Sequence, residues 1–158
     1  IHFLLSGWGM GFARLKDMQA AAQLANVTLV DRVADSELDA LLSSADAWLI
    51  PYRKDVAGVS VPSRFYNLLA AGRPVILVSE PEAEAALTVS ENGLGWVVTP
   101  GRPDQLADAV RLASRSQDTG MAERAVATAR SFSPERALAS YAALVAELLS
   151  DRDVERTA

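Results

Sequence analysis

Residues 45–78 read ADAWLIPYRKDVAGVSVPSRFYNLLAAGRPVILV, and the succession of apolar and helical runs in this stretch decides the fold. DAWLI (46–50) and PVILV (74–78) are short, rich in Val, Ile, Leu or Trp, and bounded by Pro, Gly or Asp, as strands buried on both faces should be. Residues 62–71 between them carry helical spacing, with Pro62 at the helix start and Gly72 where a left-handed C-cap belongs. Outward from this βαβ unit the pattern repeats. Strands are predicted at 1–6 (IHFLLS), 27–31 (VTLVD) and 94–98 (LGWVV), and helices near 11–25, 36–44, 80–90, 103–115, 120–131 and 134–149. Asp35, Ser36 and Ser133 offer N-caps. The expected architecture is α/β, an open parallel sheet of about five strands with helices on both faces. The last helix carries Leu138, Tyr141, Leu144, Val145 and Leu148 in one apolar stripe, so it is expected to pack on the core, whereas the charged tail 151–158 is expected to fray.

At 158 residues, half of them hydrophobic, residues 1–150 can close a single core. No apolar run approaches the roughly 20 residues of a spanning helix, and IHFLLS lacks the flanks of a signal peptide, so a soluble chain is expected. Twenty acidic against fifteen basic residues, a net charge of −5, argue against a nucleic-acid surface. With no cysteine, disulfides, thiolate metal sites and thiol nucleophiles are excluded. His2, the single histidine, stands at a terminus, a poor place to hold a catalytic base.

The loop after strand 46–50 and the helix that follows lie at the carboxyl end of a strand, where open α/β sheets bind ligands. On that helix Ser60, Ser63, Arg64 and Asn67 share one face, and Val61, Phe65, Leu68 and Leu69 the other, which is expected to pack on the sheet. Free N–H groups and the positive dipole end at a helix start favour an anion such as a diphosphate, with two hydroxyls and a guanidinium to assist. From spacing alone an ordinary solvated first turn is the simpler reading.

ADAWLIP (45–51), VPSRFYNLLAAGRPVI (61–76), NVTLVDRV (26–33) and GLGWVVTPGRPD (93–104) occur in the order found in GT-B glycosyltransferases, and the chain resembles the C-terminal, donor-binding domain of the retaining family 4 enzymes. The resemblance implies a Rossmann-like sheet, a cytoplasmic enzyme, and a nucleotide-diphosphate sugar as substrate. The acceptor would be a polysaccharide, a glycolipid or a small molecule. It further implies that backbone around Arg32 and Val33 meets the base, that Ser60, Val61 and Ser63 line the diphosphate, that Asn67 faces the ribose, and that Arg64 contacts phosphate or sugar. Gly7 and Gly9 would lie near the donor. No metal or other cofactor is implied, and no catalytic residue is identified. Two positions depart from the family: Val59 and Asn67 stand where it carries glutamates. A neutral Asn can bond a ribose hydroxyl but also donates, so nucleotide choice is open.

SGWGMGF (6–12) followed by Asp31 invites a dinucleotide reading, with Gly7, Gly9 and Gly11 as the loop and the acid on a ribose. Its third glycine would fall at 12, where Phe12 stands. A flavodoxin-like partner-binding module is the non-enzymatic alternative, since such sheets serve many functions. The resemblance also implies a preceding βα unit, contributing an Arg and a Lys, and an N-terminal acceptor domain, neither visible in these residues. Without that unit the strand order would close to 2-1-3-4-5, or another chain would supply the strand. The chain is therefore expected to be a fragment that does not transfer sugar alone, and action of the whole enzyme at a membrane surface stays open.

Overall fold

A computed structural model of the chain describes residues 1–52, 54–55 and 63–156, with side chains through 149. Ser60 and Val61 lie outside the described residues. The chain divides into two compact units, residues 1–45 and 46–158.

In the first unit β1 (Phe3–Ser6) runs parallel to β2 (Val27–Val30), Phe3 opposite Val27 and Ser6 opposite Val30. Backbone bonds from Phe3 N–H to Asn26 O (2.8 Å) and Gly7 N–H to Val30 O (3.2 Å) extend the ladder at both ends. Helix α1 (Met10–Ala22) connects the strands and buries Phe12. It stops at Gln23, which takes a left-handed conformation (φ 49°), earlier than the spacing predicts. A short 3₁₀ turn (Asp35–Glu37) leads into α2 (Leu38–Ser44). The expected caps do not form there. Asp35 is engaged by Arg32 (3.4 Å), and the Ala34 N–H donates to the Glu37 carboxylate instead (3.4 Å). Nor is β1 covered on both faces: Phe3 and Leu5 are half-buried while Leu4 and Ser6 are exposed, because a continuous apolar run cannot report which of its faces meets a helix.

In the second unit β3 (Trp48–Pro51), β4 (Val75–Val78) and β5 (Gly95–Val98) form a parallel sheet with β4 in the middle. Val75 and Leu77 point to one side of β4 and Ile76 to the other, and all three are buried, so helices cover both faces. On the Ile76 side α5 (Pro103–Arg115) closes a cluster of Ile76, Val98 and Ala109, flanked by Trp96, Leu106 and Val110. Helix α4 (Glu84–Glu91) packs on β4 and β5 through buried Ala85, Ala86 and Val89. Helix α3 (Ser63–Ala70) buries Phe65, Leu68 and Leu69 and has α6 (Met121–Ser131) as its main neighbour. Gly72 ends α3 in the expected left-handed conformation (φ 67°), its N–H bonded to Leu69 O (2.9 Å), and a Cβ there would touch Val126 of α6 at 3.4 Å. Arg124 of α6 donates to the carbonyls of Asn92 and Gly93 just past α4, capping its last turn. Its ion pair with Asp118 holds that carboxyl below the usual range.

Within each unit the strands pair in parallel, β1 with β2 in the first and β3, β4 and β5 in the second. Helix α7 (Pro134–Arg156) starts as expected, with the Ser133 hydroxyl accepting from Arg136 N–H (3.3 Å). It departs from expectation in two ways. It continues helically through Arg156, no Gly or Pro following Pro134 to stop it. Its apolar stripe is also not packed: Leu138 and Tyr141 are 69% exposed and Leu144, Val145 and Leu148 more than half exposed. Both faces of β4 are already covered by the other helices, leaving that part of the core complete without it. Among the described residues no helix is long and apolar enough to cross a membrane.

Candidate functional site

Two loops and one helix start lie at carboxyl ends of strands, and the expected site residues divide between them by unit. In the first unit, Gly7 and Gly9 form the turn from β1 into α1. Gly9 has φ 93°, a conformation that disfavours any side chain. Gly7 needs its small size for another reason, since a Cβ there would meet the Phe12 ring at 3.4 Å. Phe12 thus occupies the space that a dinucleotide loop would leave to its third glycine. Asp31, the acid that reading requires, is bonded by Lys16 at 3.0 Å. Both features count against dinucleotide binding. Arg32 and Val33 follow β2, Arg32 exposed and Val33 half-buried. His2 Nε2 is hydrogen-bonded to Thr28 Oγ1 at 2.8 Å, which anchors the strand pair rather than poising a base.

In the second unit, Ser63, Arg64 and Asn67 are exposed on α3, while Phe65, Leu68 and Leu69 are buried on its opposite side. The spacing had separated these two faces correctly because three large apolar residues fix the rotation of a short helix. Tyr66 lies between the faces, edge-on to Phe65 (5.4 Å between ring centres) and tilted against Phe132 (4.7 Å).

Two residues at the same end of the sheet were not anticipated. Tyr52 continues the β3 ladder, its N–H donating to Val78 O at 2.9 Å, and Glu80 stands two residues beyond β4. The Tyr52 hydroxyl and Glu80 Oε2 are buried without a hydrogen-bond partner among the described residues, and Glu80 Oε1 accepts from Asp55 N–H at 2.6 Å. That bond holds Asp55 at φ 64°, a left-handed position that Asp tolerates better than most residues. Burial pushes the Tyr52 phenol up, with the Arg64 charge drawing it down and Tyr66 adding to the rise. Burial also raises Tyr66, with Glu84 contributing. The signal that could have found these residues is position: polar groups within two residues of a strand's carboxyl end. Orphaned polar groups cost stability. Tyr52→Phe is therefore expected to leave the urea midpoint unchanged or raise stability by up to about 1 kcal/mol, whereas a clear loss would mean that the hydroxyl has a bonding partner.

Residues 1–115 match the family described as glycosyl transferases group 1. WbjE of Pseudomonas aeruginosa, designated a probable glycosyltransferase, is 32% identical over 85 residues, or 54% of this chain and 21% of WbjE. WcaI of Escherichia coli (strain K12), designated a putative colanic acid biosynthesis glycosyl transferase, is 29% identical over 112 residues, or 70% of this chain and 28% of WcaI. The chain thus spans only 21% and 28% of the length of these relatives. Among solved structures, the pneumococcal O-GlcNAc transferase GtfA, in complex with UDP and GlcNAc, superimposes with a TM-score of 0.66 at 19% identity, over 94% of this chain and 30% of GtfA. AviGT4, a glycosyltransferase of avilamycin A biosynthesis, superimposes with a TM-score of 0.55 at 20% identity, over 83% of this chain and 40% of AviGT4. The family match covers the Gly-x-Gly turn, α3 and the parallel strands alike, and the chain belongs to the glycosyl transferases group 1 family as a Rossmann-like domain of the GT-B kind.

Proposed function

We propose that this chain is the donor-binding, C-terminal domain of a retaining cytoplasmic glycosyltransferase, holding a nucleoside-diphosphate sugar for transfer to a polysaccharide, glycolipid or small-molecule acceptor. The observation that carries this reading is the start of α3, where Ser63, Arg64 and Asn67 face solvent opposite a fully buried apolar side. Ser60 and Val61 would join Ser63 at the diphosphate, Asn67 would meet the ribose, and backbone at Arg32 and Val33 would meet the base, with Gly7 and Gly9 nearby. The chemistry asked of these groups is electrostatic. As the bond from sugar to diphosphate breaks, charge grows on the leaving phosphate, and donors already fixed at a helix start stabilise it without reorganising. A guanidinium beside them does the same work without a metal ion.

The reading is supported by the glycosyltransferase designations of both relatives and by UDP in the complex of a protein sharing the fold. A first βα unit and an acceptor-binding domain would come from outside these 158 residues, in keeping with the small share of each relative that is covered. Isothermal calorimetry with UDP, GDP and NAD tests donor binding: UDP or GDP is expected to bind more tightly than NAD, and the reverse order overturns the reading. Incubation with a panel of nucleotide sugars is expected to give no transfer, since these 158 residues span only 21% and 28% of the relatives' length; robust turnover would show that these residues suffice.

A further inference from the structure

Glu80 stands two residues beyond β4, the middle strand of the second unit, and its carboxylate is placed at some cost to the fold. Oε1 accepts the backbone N–H of Asp55 at 2.6 Å, while Oε2 is buried with no hydrogen-bond partner among the described residues. A carboxylate oxygen removed from water and left unpaired disfavours folding. The residue it holds is also strained, for Asp55 has φ 64°, in the left-handed region. Strain of this kind persists where a geometry is needed for something other than stability. Both ends of the contact are anchored. Beneath Glu80, the buried Ser79 donates its N–H to Val98 O at 3.0 Å, and Ala83 N–H returns to Glu80 O at 3.1 Å. Ahead of Asp55, Tyr52 is still in the ladder through Val78 O, and beyond Asp55 the chain goes on to Ser63 and Arg64 of α3. Glu80 thus ties the chain that leaves β3 for α3 to the end of the central strand.

We propose that Glu80 is a positioning residue for the diphosphate: by fixing Asp55 it presets where the start of α3 presents Ser63 and Arg64. This rests on the donor-binding reading and adds to it a residue that acts without touching the ligand. Groups already in place bind more tightly than groups that must be ordered on arrival, because the ordering subtracts from the affinity. A carboxylate suits the task, being an acceptor that makes a charge-assisted bond to an N–H. Its charge does not: at the end of the sheet where an anion binds, a negative side chain opposes binding. The two effects have opposite signs, so a variant that keeps the acceptor and loses the charge tells them apart.

The test is calorimetry on the 158-residue chain with inorganic pyrophosphate and with UDP, paired with urea denaturation. Glu80→Ala, which removes the acceptor, is expected to weaken both ligands about tenfold, with the urea midpoint unchanged or raised. Glu80→Gln keeps an acceptor oxygen and loses the charge, and is expected to bind as tightly as the parent or more so. Asp55→Gly retains the N–H and tolerates the positive φ, so it is expected to match the parent. Asp55→Pro lacks the N–H and excludes that φ. It is expected to lose as much affinity as Glu80→Ala, and the double variant to lose no more than either alone. Parent-like affinity in Glu80→Ala overturns the positioning role and leaves the donor reading standing. So do equal losses in Glu80→Ala and Glu80→Gln, losses that add in the double variant, or a fall in affinity matched by a fall in the urea midpoint, which marks a structural part only. Failure of the parent chain to bind either ligand overturns the donor reading and the positioning role together.

Discussion

Gly95→Ala is expected to abolish cooperative folding of residues 46–158. Gly95 opens β5 with φ 153°, and a Cβ at that position would stand 1.8 Å from the carbonyl oxygen of Val75 and 2.8 Å from its carbon and nitrogen. These are backbone atoms of the central strand, so no rotamer change relieves the contact. Val75 is fully buried, pairs with Gly95 in the ladder, and donates its N–H to Leu94 O at 3.1 Å. Room for a methyl group could come only from separating β5 from β4, which would undo the ladder and lift Val98 from the cluster beneath α5. Overpacking and lost pairing together cost about 3 kcal/mol or more, a large fraction of the stability of a small domain. Gly101 provides the control. It too has a positive φ, 78°, but nothing lies within 4 Å of its Cβ position, so Gly101→Ala is expected to cost only the backbone strain of about 1–2 kcal/mol. Urea titrations followed by circular dichroism compare the two. A Gly95→Ala midpoint no lower than that of Gly101→Ala would mean that β4 and β5 approach differently from the register found.

That contact explains part of what could be read in advance and what could not. LGWVV announces a strand through its apolar residues, but the demand on its glycine arises from Val75, twenty residues earlier in sequence and adjacent only after β4 and β5 pair. The same division runs through the fold. Helix α3 was legible because large buried side chains recur at helical spacing, and α5 because Leu106, Ala109, Val110 and Ala113 recur on one face against the sheet. The start of α4 was not. The sequence EPEAEAAL (80–87) favours a helix throughout, yet Ala83 N–H bonds Glu80 O (3.1 Å) in a turn, while Glu80 reaches back to Asp55, and the helix opens only at Glu84. The stripe on α7 shows the limit of periodicity, which identifies an apolar face without saying what, if anything, meets it. Strand pairing has the same limit: five buried-strand patterns fit one ladder or two equally well. On α3, the exposed face of Ser63, Arg64 and Asn67 was legible as the one left over once Phe65, Leu68 and Leu69 had been assigned inward. Tyr52 and Glu80 were not, because orphaned polar atoms at a strand end depend on residues distant in sequence.

Arg64→Ala is expected to weaken UDP and GDP binding by roughly tenfold to hundredfold, the range for losing one hydrogen bond to a charged group, without weakening the fold. The two halves of that expectation have separate causes. Arg64 is the second residue of α3, exposed, on the side opposite the buried Phe65. A cation at a helix N-terminus opposes the helix dipole, so folding alone disfavours arginine there by a few tenths of a kcal/mol. Its removal should therefore leave the urea midpoint unchanged or slightly higher. A diphosphate reverses the sign, because the anion adds its own attraction to the guanidinium while taking up the N–H groups that the dipole presents. Arg64→Lys should recover part of the affinity, keeping the charge but not the bidentate fork. Arg64→Glu should fall below alanine, and raising the salt concentration should narrow the differences among the variants. Calorimetry with UDP at two ionic strengths, paired with urea denaturation of each variant, separates the possibilities. If Arg64→Ala lost stability and kept its affinity, the residue would belong to the scaffold, and the diphosphate would have to be held without it.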